Sequence, residues 1–145
     1  MTICHWKYYF LFVANIIQCY NFFNVDFFKN ILDGNDIEIL SNGKATRTFC
    51  YISDAVTGYL KILLSDYNGE PFNIGTDSPE ISMFDLAQKI IDLLNLPNKV
   101  VFSKSSDKEY LTDNPKRRCP DLSKSKLMLN YNPKVGLDEG LVRVY

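Results

Sequence analysis

Two arginine-containing segments hold the residue types best suited to chemistry in this chain. One is Arg47-Thr-Phe-Cys-Tyr-Ile-Ser-Asp54, and the other is Asp113-Asn-Pro-Lys-Arg-Arg-Cys-Pro-Asp121. A guanidinium group presents a fixed fork of N–H donors that matches two oxygens of a phosphate or a carboxylate. The two segments therefore predict an anion-binding site. For any single arginine, an ordinary exposed position is the alternative.

The motifs that would turn such a site into a catalytic one are missing from the sequence. No glycine-rich phosphate loop precedes the two segments, and no tyrosine is followed by a lysine four residues later. We therefore expect a substrate site without its catalytic half, and no catalytic residue is assigned.

Composition and charge limit the class of partner. The 145 residues suit one domain, with sixteen basic against seventeen acidic side chains, which argues against a nucleic acid partner. Residues 104–126 nevertheless hold seven basic and four acidic residues, whereas residues 26–85 hold four basic and ten acidic ones. A local basic patch of this size suits one anionic small molecule, and a solvated turn is the alternative.

The cysteines and the single histidine favour no metal site. Cys4, Cys19, Cys50 and Cys119 form no Cys-x-x-Cys pair, and His5 cannot complete a usual ligand set with them. We expect no metal and a reducing, cytoplasmic location. Two disulfides in a secreted protein are the alternative.

Residues 1–24 are rich in apolar and aromatic side chains, and the run from Tyr8 to Ile17 is nearly all apolar. A membrane-spanning helix needs about 20 such residues, so this run is too short. No small-residue cleavage site of the Ala-x-Ala kind follows it, which argues against a signal peptide. A buried strand or helix is the prediction.

Apolar periodicity predicts an α/β fold of short strands and packed helices. Gly34 should end the first helix in a left-handed cap, Ser53 and Ser82 should be N-caps, and Asp85 should complete a capping box with Ser82. The stretch from Phe102 to Pro120 is a long connection of the kind that often carries function. The predicted strands are Ile37–Leu40, Arg47–Ile52, Pro71–Ile74 and Lys99–Phe102. The predicted helices are residues 27–32, one helix after Ser53, one after Ser82, residues 122–129, and one from residue 137 onward.

The helix after Ser53 has one apolar stripe that we expect to be buried. That stripe consists of Val56, Tyr59, Leu60, Leu63 and Leu64.

Five motifs, taken in order, resemble the C-terminal half of extended short-chain dehydrogenases. The resemblance is to NAD-dependent nucleotide-sugar epimerases, dehydratases and decarboxylases, and UDP-glucuronate decarboxylases are the nearest group. Ordered motifs at compatible spacing are more specific than any one of them. They are Gly43-x-x-x-Arg47-Thr-Phe-Cys-Tyr-Ile-Ser-Asp54, Pro71-Phe-Asn-Ile-Gly75, Pro79-Glu-Ile-Ser82, the segment 113–121, and Pro133-Lys-Val-x-Leu-x-Glu-Gly-Leu141.

The resemblance implies a substrate-binding portion that lacks the main Rossmann domain. Residues 25–145 would form the nucleotide-sugar domain, truncated within its last helix, and residues 1–24 match nothing in the family. In the family, the N-terminal half carries the NAD site and a Ser/Thr, Tyr and Lys catalytic set. NAD is thus implied as the cofactor of the full-length family, and no cofactor is expected for this chain alone. A homodimer is implied for full-length relatives.

The resemblance also implies a role for individual residues. Arg47 would contact the diphosphate, Arg118 would reach the phosphates or the sugar from the opposite side, and Arg117 would be structural or at the rim. Asn73 would donate its amide to a phosphate oxygen, and the alternative is an asparagine that holds the turn at a strand end. Asp54 would be a structural residue at the start of a helix.

Three further residues are implied around the base and the sugar. Ile39 and Leu40 occupy the segment that lines the base, although an aromatic residue often stands at the position of Leu40 in the family; ordinary sheet core is the alternative. The Tyr110 hydroxyl would reach a sugar or stay in solvent.

The leading hypothesis is the substrate-binding part of an NAD-dependent nucleotide-sugar enzyme, resembling UDP-glucuronate decarboxylases or epimerases and 4,6-dehydratases, and inactive alone. The expected partner is a nucleotide sugar, with a UDP-sugar favoured. A non-catalytic nucleotide-sugar-binding module and a truncated gene product without independent function are the alternatives.

Overall fold

A computed structural model describes residues 23–103 and 115–145 of the chain. Residues 1–22 and Tyr110, for which the sequence makes predictions, lie outside this range. Within it, the elements in chain order are α1 (Phe23–Leu32), β1 (Ile37–Ile39), β2 (Thr46–Arg47), α2 (Ile52–Leu63), β3 (Ile81–Ser82), α3 (Met83–Leu94), β4 (Val100–Phe102), β5 (Arg117–Arg118), α4 (Ser123–Leu129) and α5 (Leu137–Val144).

The strands form two small sheets. β1 and β4 pair in parallel, with Ile37 opposite Val100 and Ile39 opposite Phe102. The second sheet has the order β3-β2-β5, in which the central strand β2 runs antiparallel to β3 and parallel to β5. Because β2 is central, the segments before α3 and before α4 are both held against it.

The apolar side chains collect into two clusters. The smaller lies between α2 and α4 and contains Ile62, Phe72, Leu122, Leu129 and Tyr131. The larger joins α1, β1, α3 and α5. Its buried members are Phe27, Phe28, Ile31, Ile37, Ile39, Met83, Leu86, Ala87, Ile90, Ile91, Leu137 and Leu141.

Two predicted helix caps are confirmed. Gly34 has φ of 75° and follows the end of α1, where the Asn35 N–H donates to the Asn30 carbonyl at 2.7 Å. This 6→1 bond is typical of a helix end that places glycine in the left-handed region. At the start of α3, the Asp85 N–H donates to Ser82 Oγ at 3.0 Å, which is the predicted N-cap bond. The Asp85 carboxylate does not complete the predicted capping box, because its Oδ2 accepts from Ser82 Oγ at 2.5 Å and not from the Ser82 backbone N–H.

Other local predictions are wrong. The residues from Pro71 to Ile74 form no strand, because within the described residues no other strand pairs with them. The strand predicted from Arg47 to Ile52 is limited to β2, since β3 and β5 are each only two residues long. Consequently α2 begins at Ile52, and its N-cap is Tyr51 instead of Ser53.

The predicted stripe of α2 is also wrong, because most of it is exposed. Leu60, Leu63 and Leu64 are 50%, 61% and 82% exposed, and the buried face is instead formed by Asp54, Ala55, Gly58 and Ile62. At Gly58 a Cβ atom would lie 2.5 Å from Ile74 Cγ2 and 2.9 Å from Tyr131 Cε2. The helix therefore packs by its small residues, which allow its backbone to come close to its neighbours.

No helix within residues 23–103 and 115–145 combines the length and the apolar character needed to cross a membrane.

Candidate functional site

The three-stranded sheet brings the two arginine segments together. β2 and β5 pair in parallel with Arg47 directly opposite Arg118, and with Thr46 opposite Arg117. Hydrogen-bonded strands lie about 4.8 Å apart, and residues opposite each other share one face of the sheet. Arg47 and Arg118 are thus neighbours although 70 residues separate them in the sequence.

Arg47 is the more buried of the two, with 7% of its surface exposed. Its Nη1 donates to the Thr46 carbonyl at 2.7 Å, and its Nη2 donates to the Pro115 carbonyl at 2.6 Å. Pro115 lies two residues before β5. The guanidinium group of Arg47 therefore holds the segment that leads into Arg117 and Arg118.

Arg118 lies at the surface. Among the described residues, its guanidinium forms no ion pair and no hydrogen bond with a side chain. The N–H fork of Arg118 is consequently open to solvent and to small anions, whereas the equally exposed Arg117 is held by Glu80.

Arg117 belongs to a different network, as a structural or rim residue would. Glu80 Oε2 accepts from Arg117 Nε at 3.1 Å and from Nη2 at 2.8 Å, while Glu80 Oε1 accepts from Thr46 Oγ1 at 2.5 Å. The bonds from Thr46 and then Arg117 hold the pKa of Glu80 below its ordinary 4.5, and Glu80 raises the pKa of Arg117. Sequence reasoning missed Glu80, because its partners lie 34 and 37 residues away.

Asn73 is exposed and contacts the protein in the way that the structural alternative describes. Its Nδ2 donates to the Asp121 carbonyl at 2.9 Å, and its own carbonyl accepts from Ser125 Oγ. The hydrogen bonds from Ser123 hold the pKa of Asp121 below its usual value. Asn73 thereby joins the loop before Gly75 to the start of α4.

The two residues expected near a base differ in burial. Ile39 is 3% exposed and belongs to the main core, whereas Leu40, directly after β1, is 37% exposed. Close to this segment, Phe84 and Phe102 stack with ring centroids 5.7 Å apart and an angle of 19° between their planes. Both side chains are partly exposed, and no sequence signal pairs residues that lie 18 positions apart.

Asp54 is a structural residue at the start of α2, as expected. It is 8% exposed, and its Oδ2 accepts from the backbone N–H groups of Lys134 at 2.9 Å and Val135 at 2.8 Å. The carboxylate thus fixes the segment before α5 against α2.

Tyr131 is a second polar residue that sequence reasoning missed, and unlike Glu80 it is buried. The residue is 1% exposed, its hydroxyl donates to the Gly75 carbonyl at 2.8 Å, and the Cys50 sulfur lies 3.6 Å from the Tyr131 hydroxyl oxygen. Burial raises the pKa of Tyr131 above its ordinary 10.0. The residue is therefore neutral and structural.

Among the described residues there is no group of three or more His, Cys, Asp or Glu side chains that could hold a metal ion. Cys50 and Cys119 are half-buried free thiols.

Sequence comparisons connect the chain to nucleotide-sugar enzymes. Residues 23–75 match the NAD dependent epimerase/dehydratase family. The chain is 39% identical over 117 residues to the uncharacterised protein MJ1055 of Methanocaldococcus jannaschii, and the match covers 81% of this chain and 34% of that protein. It is 35% identical over 116 residues to UDP-glucuronic acid decarboxylase 5 of Arabidopsis thaliana, covering 80% of this chain and 32% of that protein. The chain thus spans about a third of the length of these curated relatives.

Solved structures agree with this family. UDP-glucuronic acid 4-epimerase from Bacillus cereus, in complex with UDP-glucuronic acid and NAD, matches with a TM-score of 0.72 and 27% identity over 86% of this chain and 41% of that one. The epimerase Mth375 from Methanothermobacter thermautotrophicus matches with a TM-score of 0.75 and 26% identity over 86% of this chain and 36% of that one. The predicted fold class, an α/β portion of such an enzyme with short strands and packed helices, is confirmed. The chain belongs to the NAD-dependent epimerase/dehydratase family of extended short-chain dehydrogenases and spans part of the length of its relatives.

Proposed function

We propose that this chain binds a UDP-sugar, with UDP-glucuronate as the leading candidate, and forms the nucleotide-sugar-binding part of an NAD-dependent enzyme. The observation that carries the proposal is the pairing of Arg47 with Arg118 on adjacent strands. Two guanidinium groups on one face of a sheet suit the paired charges of a diphosphate. The match to UDP-glucuronic acid decarboxylases and to an epimerase solved with UDP-glucuronic acid supports this ligand class.

The two arginines have different tasks in this proposal. Arg118 is exposed and supplies the first contact to the anion. Arg47 donates to the Pro115 carbonyl, so it contributes to phosphate binding only by sharing or exchanging that bond. Asn73 would likewise exchange its bond to the Asp121 carbonyl for one to a phosphate oxygen. Leu40 supplies an exposed apolar contact for the base, whereas Ile39 is buried and would act only through the core that positions this segment.

Catalysis is not proposed for the isolated chain. The sequence contains no glycine-rich dinucleotide loop and no Tyr-x-x-x-Lys pair, so neither the NAD site nor the catalytic base of the family can be assigned to it. We place residues 25–145 in the nucleotide-sugar domain and include a cytoplasmic location in the proposal, on the basis of the free thiols of Cys50 and Cys119.

Calorimetric titration of the chain with UDP-glucuronate and with UDP tests the proposal. Arg118→Ala removes one charge-assisted phosphate contact and should weaken binding by about 1.5 to 3 kcal/mol, or roughly 10- to 150-fold. Arg143→Ala is the matched control, because Arg143 is an exposed arginine on α5 that pairs with Glu139. Equal affinities of the two variants would exclude the site.

The same preparation distinguishes a chain that binds the nucleotide sugar from a product without independent function, and it tests whether the chain is inactive alone. Binding of UDP-glucuronate without NAD-dependent turnover is the result expected for both a substrate-binding portion and a non-catalytic binding module. Turnover by the chain alone would contradict the proposal that it is inactive, and an absence of binding would favour a product without independent function.

A further inference from the structure

One carboxylate, at the start of β3, bonds to the other two strands of the sheet that holds the arginines. Glu80 lies directly before β3, at one edge of the sheet, and its Oε1 accepts from Thr46 Oγ1 on the central strand. Its Oε2 accepts two N–H groups of Arg117 on β5, the opposite edge. Glu80 therefore crosses the sheet and links its two outer strands.

This network lies on one face of the sheet and the proposed anion site lies on the other. Thr46 pairs with Arg117, and the next pair is Arg47 with Arg118. Successive side chains of a strand point to opposite faces, so Arg47 and Arg118 lie on the face away from Glu80.

The adjacent arginines make the register of β5 ambiguous without a further contact. A slip of one residue exchanges the two faces of a strand, and here it would bring Arg117 opposite Arg47 in place of Arg118. Both registers would offer an arginine to an anion, and β5 is only two residues long. In the observed register, the Thr46 backbone N–H donates to the Lys116 carbonyl at 2.9 Å.

We propose that Glu80 is a positioning residue that selects Arg118 over Arg117 for the diphosphate. By holding Arg117 and Thr46 together on one face, it fixes the register that presents Arg118 beside Arg47 on the other face. It also neutralises the one guanidinium of the Arg117–Arg118 pair that does not face the ligand. This inference rests on the proposed function for its ligand, a nucleoside diphosphate.

The selection can be measured with UDP as the probe in two backgrounds. In the wild-type background, Arg118→Ala should weaken UDP binding about tenfold or more, and Arg117→Ala less than about threefold. In the Glu80→Ala background, the two substitutions should weaken binding to similar extents, because either arginine can then take the position opposite Arg47. The inference is wrong if the effect of Arg118→Ala relative to that of Arg117→Ala is the same in both backgrounds. A purely structural role of Glu80 would give that result, because it would lower the affinity without changing which arginine is needed.

A second readout does not depend on the ligand. Glu80→Ala should speed hydrogen exchange at the Thr46 amide, whereas Glu70→Ala, which removes an exposed ion pair with Lys124, should not. If wild type fails to bind UDP while the Thr46 amide responds, the proposed function is wrong and the register role of Glu80 stands. If the Thr46 amide responds equally to both substitutions, the inference about Glu80 is wrong. Should Glu80→Ala not fold, Glu80→Gln serves in both experiments, because it removes the charge that holds Arg117.

Discussion

The buried carboxylate of Asp54 gives a sharp prediction about stability. Asp54→Ala removes an acceptor that receives the N–H groups of Lys134 and Val135 on a single oxygen, Oδ2. Asp54 is 8% exposed, so water cannot fully replace the carboxylate.

The size of the effect follows from these contacts. A hydrogen bond to a charged group contributes about 1.5 to 3 kcal/mol, and an acidic residue in the first turn of a helix about 0.3 to 1 kcal/mol. Because the two donors share one oxygen, their contributions are not additive. We expect Asp54→Ala to lower the free energy of unfolding by about 3 kcal/mol. Asp54→Asn keeps an oxygen at the same place without its charge and should lower it by about 1 kcal/mol.

Urea denaturation followed by far-ultraviolet circular dichroism measures these differences. Asp66→Ala is the control, since the Asp66 side chain is exposed and its hydrogen bonds use only the backbone carbonyl; its effect should stay within about 0.5 kcal/mol. The reasoning fails if Asp54→Ala resembles Asp66→Ala, or if Asp54→Asn is as destabilising as Asp54→Ala.

Three further predictions use the same denaturation assay. Tyr131→Phe should lower the free energy of unfolding by about 1 to 2 kcal/mol, because the buried Gly75 contact is lost. Because the pKa of Tyr131 is raised in the folded state, the stability that this residue contributes is complete below the unfolded value of 10.0 and is lost as the pH rises beyond it. Tyr131→Phe should therefore reduce the loss of stability at high pH. The pKa of Glu80 is lowered in the folded state, so the stability that its carboxylate contributes is present above the ordinary pKa of 4.5 and is lost as the pH falls below it. A Glu80→Gln variant whose free energy of unfolding fell with acid as steeply as that of the wild type would contradict this. Finally, Ile62→Ala should cost about 2 to 4 kcal/mol and Leu63→Lys less than about 0.5, and the reverse order would mean that the faces of α2 are misassigned.

Features that depend on a few neighbouring residues could be predicted from the sequence. The cap at Gly34 and the N-cap at Ser82 require only backbone geometry and side chains within three residues. The arginine segments could be recognised by residue type and by family resemblance. Their direct pairing could not, because it depends on two strands of two residues each.

Features that depend on distant partners could not be predicted. Periodicity identified an apolar face on α2, but this helix is apolar on two sides, and the close approach at Gly58 decides which side packs. Residues 71–74 have the composition of a strand and lack a partner strand among the described residues. Tyr131 and Glu80 have ordinary sequence surroundings, and only the fold brings Gly75 and Arg117 to them.

The bond between Asp54 and the segment before α5 also has a consequence for folding kinetics. It joins Asp54 to residues that lie 80 and 81 positions later in the chain, so it closes a loop that includes more than half of the chain. Loop closure over such a distance carries an entropic cost that must be met before the contact stabilises anything, and non-local contacts slow folding. During synthesis, the start of α2 lacks its two backbone donors until Lys134 and Val135 have left the ribosome. A segment made some 80 residues later therefore completes the hydrogen bonding at the start of α2.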